Sequence, residues 1–202
     1  MVGDGRGQAF ALEGVVAGLL VVLALLFAFQ AQVVTPTTGG GVDSETREQL
    51  RTTADDALHA ATADGGLSHL VRHWDPVFRR FAPQANATGV SRVPGSLGPL
   101  LNRSLVAEGH QFRLVLSYRG PPGSDGGSST VVDGGRPPAG AVAASHAVTI
   151  YDNMTLTAPD VGARELWEYD TSPSNASQRY YPVPDAVAGP VYNVVHVRVI
   201  AW

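Results

Sequence analysis

The chain has 202 residues, a formal net charge of −4 and no cysteine. Disulfides, thiolate-ligated zinc and thiol catalysis are excluded, and no basic surface recommends nucleic acid. All 14 basic residues are arginine, in a composition typical of a high-GC genome. Setting aside the first ~35 residues leaves ~165, enough for one domain with its own core.

Residues 9–29 carry one charge, Glu13. As a helix rising ~1.5 Å per residue, this stretch would span about 30 Å, the thickness of a bilayer core. Its valine, leucine and phenylalanine run has no polar face, which speaks against an amphipathic surface helix. The leading "MVGDGRG" is hardly basic and the apolar stretch is too long for a cleaved secretory signal, so the stretch is expected to stay on the mature chain. The expectation is a hydrophobic transmembrane helix over 8–34 and a linker over 35–43. A carboxylate costs roughly 2.5–3.5 kcal/mol at the centre of a membrane helix and less near its end. Glu13 therefore either reaches the interface or meets a cation on a neighbouring subunit.

Arg6-Gly7-Gln8-Ala9-Phe10-Ala11-Leu12-Glu13, followed by the long apolar run, resembles the class III signal of type IV pilins and their archaeal relatives. Pilin-like secreted proteins of haloarchaea are the most similar. The resemblance implies that residues 1–7 are a leader peptide, that a prepilin peptidase cuts after Gly7 and that Gln8 is the new N-terminus. It implies that the retained helix contacts membrane lipid and other pilin-like subunits. It further implies that Glu13 neutralises the amine of an adjacent subunit, offsetting its own burial. Cut after Gly7, the chain has Glu13 as its sixth mature residue, one later than in the usual bacterial pattern.

"TPTTGGG" at residues 35–41 breaks any helix and makes a flexible joint. Beyond it, Asp43 or Ser44 caps a helix to about Ala63, with Leu50, Ala54, Ala57, Leu58 and Ala61 at helical spacing. "LSHLVRHW" predicts a short helix ending near Pro76. "SLGPLLNRSLVAEG" predicts a third, stopped by Gly109. "QFRLVLSYR" alternates as a half-buried strand, with Phe112, Leu114, Leu116 and Tyr118 on one face and Arg113 and Ser117 on the other. "STVVD", "HAVTIYDNMTLTA", "ARELWEYD" and "VYNVVHVRVIAW" predict further strands. In the last, Val195, Val197 and Val199 share a face opposite His196 and Arg198. The fold class is α+β: the transmembrane helix, then a head at 44–202 with helices packed on an antiparallel sheet, as in pilins.

Four of the five asparagines begin Asn-x-Ser/Thr: Asn86, Asn102, Asn153 and Asn175; Asn193 does not. Chance gives this concentration about once in a thousand at this Ser/Thr frequency. It points to N-glycosylation, a head outside the cell and a cytoplasmic N-terminus, with Arg6 on the inner side. His69 and His73, four apart, could share a metal with Asp75, or simply line a solvated helix face; no metal site and no cofactor are expected. His59, His110, His146 and His196 are scattered and look structural, and Asp55-Asp56 reads as polar helix surface. Tyr180-Tyr181-Pro182 and Trp167 form either an exposed contact patch or packing on the sheet. Neither a nucleophile elbow nor a phosphate-binding glycine loop is present, so no enzyme is expected. The expected function is a pilin-like subunit or minor component of a type IV pilus-like surface structure. The alternative is a membrane-anchored extracellular binding module that does not polymerise.

Overall fold

A computed structural model describes residues 13–24, 44–81, 85–86, 90, 93–159, 161–171 and 179–202. The chain divides into two compact units, Met1–Gly39 and Gly40–Trp202.

The first unit holds helix α1 over residues 13–24. This corrects the expected transmembrane helix. No helix among the described residues is long and apolar enough to cross a membrane. The described residues 13–24 rise about 18 Å, against about 30 Å of hydrocarbon. Glu13, Gly14 and Gly18 also dilute the valines and leucines. Every residue of α1 is exposed, with large apolar side chains from Val16 at 50% to Val15 at 69%.

The second unit places helices α2 (Ser44–Ala63), α3 (Gly66–Arg72) and α4 (Leu97–Leu101) with strands β1 (Trp74–Asp75), β2 (Arg80–Phe81), β3 (Ala85–Asn86), β4 (Phe112–Tyr118), β5 (Gly127–Asp133), β6 (Val142–Tyr151) and β7 (Val191–Ala201). β1 and β2 form a small hairpin; the other five strands form one sheet in the order β3-β5-β4-β7-β6. Neighbours in that sheet are antiparallel except β3 and β5. The chain's last strand therefore lies inside the sheet, between β4 and β6.

Alternation explains the layers. Leu114 faces Val199 and Leu116 faces Val197 across β4 and β7, and all four are buried. His196 and Arg198, one position off, are exposed on the other face. Helix α2 lies over β6 and β7 and also packs on α3 and α4. Its buried residues are Leu50, Ala54, Ala57, Leu58 and Ala61, one stripe at helical spacing. Three alanines in that stripe permit close approach to the sheet. Asp55 reaches the sheet too: its Oδ1 lies 3.2 Å from Nε2 of His146, whose ring meets His59 edge-on at 5.9 Å.

Between α2 and α3, Gly65 takes the left-handed backbone (φ 78°) that reverses the chain. The adjoining Asp64 carboxylate accepts from the Ser96 hydroxyl at 2.9 Å and the Gly66 amide at 2.8 Å. These donors, Ser96 first, hold its carboxyl below the ordinary aspartate value. Helix α4 widens into a π-helical turn over Asn102–Val106, and Gly109 (φ 86°) ends the segment. The stretch "ARELWEYD", expected as a strand, is instead a short 3-10 turn, Leu166–Glu168. The reason is local: Glu165 and Glu168 cap each other, the Glu168 carboxylate accepting the Glu165 amide at 3.0 Å.

Asn193, the asparagine outside the glycosylation pattern, is fully buried. Its Oδ1 accepts the Arg119 amide at 3.2 Å, and its Nδ2 donates to the Arg119 carbonyl at 3.0 Å and the Pro184 carbonyl at 2.7 Å. One side-chain amide thus satisfies three backbone groups where β4 ends against the loop before β7. Asn193→Ala strips all three of their partner and is expected to lower stability by about 2–4 kcal/mol in urea unfolding; a loss below about 0.5 kcal/mol would contradict this role.

Candidate functional site

Asp75-Pro76-Val77-Phe78-Arg79-Arg80 makes the turn of the β1–β2 hairpin. The Asp75 Oδ1 accepts the Val77 and Phe78 amides at 2.9 and 3.0 Å, and Pro76 supplies a preset φ. Arg79 completes the reversal with φ 51°. Trp74 and Phe81, opposite each other in the hairpin, are buried and meet edge-on at 4.9 Å. The base of the hairpin is therefore fixed in the core while its tip projects. At the tip Val77 is 62% and Phe78 67% exposed. The Arg80 guanidinium lies over the Phe78 ring at 5.0 Å, and that of Arg79 over the Tyr180 ring at 5.1 Å.

Below the tip opens a cleft of about 620 Å³, lined by Asp75, Phe78, Val161, Arg164, Tyr169 and Arg179 among others. Its far wall is held by backbone bonds: the Arg164 amide donates to Gly162 O at 2.7 Å and the Asp170 amide to Arg179 O at 2.7 Å. Among the described residues neither Arg164 nor Arg179 forms an ion pair. Burial raises the Tyr169 phenol above its ordinary value, and the Arg164 charge partly opposes that. The phenol is therefore a neutral donor over the whole physiological range.

Behind the hairpin an aromatic series runs inward. Tyr181 is fully buried, lies near Phe81, Tyr169 and Tyr192, and donates its hydroxyl to Val71 O at 3.0 Å. Trp74 Nε1 donates to Tyr180 O at 2.7 Å. Of the aromatics open to two readings in the sequence, Tyr181 is core, Tyr180 half-buried, and Trp167 60% exposed, its Nε1 donating to Glu165 Oε2 at 2.6 Å.

His69 and His73 lie with ring centroids 5.3 Å apart. The Thr157 hydroxyl donates to His69 O at 3.0 Å, so at 3.2 Å from His73 Nδ1 it accepts that ring's proton. The His69 Nδ1 is buried with no hydrogen-bond partner among the described residues. No third ligand joins them: among the described residues no group of three metal-binding side chains forms. Burial lowers both histidines below their ordinary value, with Arg72 adding to the effect on His69 and His69 on His73, while Asp75 opposes it on His73.

Gly7 and Gln8 lie outside the described residues, as does Asn175. Glu13 is exposed at the start of the described part of α1. Asn86 falls in β3, Asn102 is half-buried in the π-helical turn, and Asn153 is exposed in the turn after β6. Among the described residues of the head, Asn86, Asn102 and Asn153 lie in three separate segments of the chain. The cleft was missed in the sequence, where two apolar residues between Asp-Pro and Arg-Arg were its one local signal.

A model of a family of unknown function, DUF7288, matches residues 6–201. The chain belongs to this family. The DUF7288 match takes in both the Arg6–Glu13 segment and all of the head except Trp202. Neither a curated protein nor a solved structure matches the chain.

The histidine pair gives a pH prediction. A histidine whose folded value is depressed binds its proton more weakly folded than unfolded. Its contribution is complete above about pH 6.5 and is lost as pH falls through the depressed values. Thermal midpoints of the head should fall as pH drops below about 6.5, and the double variant His69→Gln/His73→Gln should flatten that limb. An unchanged slope in the variant would assign the limb to other groups.

Proposed function

We propose that this chain is a pilin-like subunit or minor component of an archaeal type IV pilus-like surface structure, assembled through its N-terminal helix. The observation that carries the reading is the exposure of α1 on every side, with seven valines and leucines at least half exposed. A surface of that kind is covered in the working protein, and equivalent helices of neighbouring subunits suit it. Gly14 and Gly18 lie one turn apart with open space where a Cβ would stand, so a second backbone can come close. Glu13 precedes them, where a neighbour's new terminal amine would neutralise it. The self-contained core of Gly40–Trp202 suits a head presented by such a helix. Asn153 lies in an exposed turn and is more accessible than the half-buried Asn102.

The cleft favours a second reading, an extracellular binding module held at a lipid surface by the same segment without polymerising. In both readings the head does its work outside the cell.

Two measurements separate the readings. N-terminal sequencing of the native protein should find Gln8 first; an intact Met1 favours the anchored module. Glu13→Gln should abolish sedimentable surface assemblies while leaving the head's thermal midpoint unchanged. Wild-type assembly in that variant would remove the pairing role.

A further inference from the structure

We propose that the cleft beneath the β1–β2 hairpin binds a sugar acid, a hydroxylated ring bearing a carboxylate, of the hexuronate type. The inference is independent of whether the chain polymerises, because every residue it uses lies in the head.

Three features of the cleft converge on that chemistry. Arg164 and Arg179 both line it, and neither is neutralised by an ion pair among the described residues. Guanidinium groups stay charged at any physiological pH and present a planar fork that matches a carboxylate. In a chain of net charge −4, two arginines against one aspartate give the described lining of this concavity a net positive charge, which favours an anion.

The walls then select an organic anion. The lining includes two aromatic residues, Phe78 and Tyr169, and the aliphatic Val161. Phe78 is 67% exposed even with the Arg80 guanidinium over its ring, and burying that remaining apolar area against a ligand is favourable. The carbon–hydrogen face of a pyranose ring has the matching flat apolar surface. A cleft of about 620 Å³ holds one or two such rings.

Asp75 decides against a bare inorganic anion. It lines the same cleft, and a carboxylate there repels a simple anion. Its Oδ1 is occupied by the Val77 and Phe78 amides, which fixes the carboxylate and leaves Oδ2 as an acceptor. A ligand with hydroxyl donors near its charge satisfies Asp75 and the arginines together. Glu168 does not compete, since its carboxylate is turned back to the Glu165 amide. The Tyr169 phenol remains a neutral donor for a ring oxygen.

The test uses the full-length chain and four probes: D-glucuronate, D-glucose, sodium sulfate and an acidic tetrapeptide. Calorimetric titration should show saturable binding of glucuronate and at least about tenfold weaker binding of glucose. Saturation-transfer NMR should mark the sugar's ring protons. Arg164→Gln and Arg179→Gln should each weaken binding about tenfold. Phe78→Ser, at the exposed tip, should weaken it several-fold with an unchanged thermal midpoint, which separates lost contact from lost folding. Equal binding of glucose, equal competition by sulfate, tighter binding of the peptide, no binding, or arginine variants that bind as the wild type would each overturn the proposal.

Discussion

A helix that turns valine and leucine outward on every side has to be covered, and that constraint shapes the account of this chain. Each large apolar side chain removed from water is worth about 1.5–3 kcal/mol. Seven of them on α1 are therefore a strong drive toward some partner surface. The head supplies its own core, from Leu50 in α2 to Ala201 in β7. The two units thus differ: one has a core of its own, and the other leaves its apolar side chains exposed.

The completeness of the head rests on one strand and one helix. The last strand, β7, pairs with both β4 and β6, so the sheet closes only when the C-terminus is in place. Helix α2 covers it through a stripe of small residues. Non-local closure of this kind makes the head a cooperative unit, because β4 and β6 have no ladder to each other without β7. Asn193 belongs to the same logic. A buried amide on β7 ties the end of β4 to the Pro184 loop.

Much of this was legible in the sequence, for physical reasons. Helix α2 and strands β4 and β7 have a buried face and a wet face, so periodicity of 3.6 or 2 is written into them. The α2 stripe from Leu50 to Ala61 and the Val195–Val199 face are instances. The "ARELWEYD" stretch misled because its alternation reflects two mutually capping glutamates rather than a ladder. The apolar N-terminal run suggested a membrane span by composition, whereas the described helix is too short for one. The cleft was hidden for a different reason. Phe78, Arg164 and Arg179 are far apart in sequence and follow no period; only the tertiary fold brings them to one concavity. The pairing of Asp55 with His146 was hidden in the same way, since the aspartate looked like plain helix surface.

The central claim is that α1 is covered by its own counterparts in neighbouring copies. The absence of cysteine makes this directly measurable, since one introduced thiol is the only one in the chain. Single cysteines placed along α1, at Val15, Val16, Leu19, Leu20 and Val22, would be oxidised in native surface material and run on a non-reducing gel, with Thr130→Cys on the head as control. The account predicts disulfide-linked dimers from one face of α1, repeating at helical spacing, and none from the control. Monomer at every α1 position would contradict it.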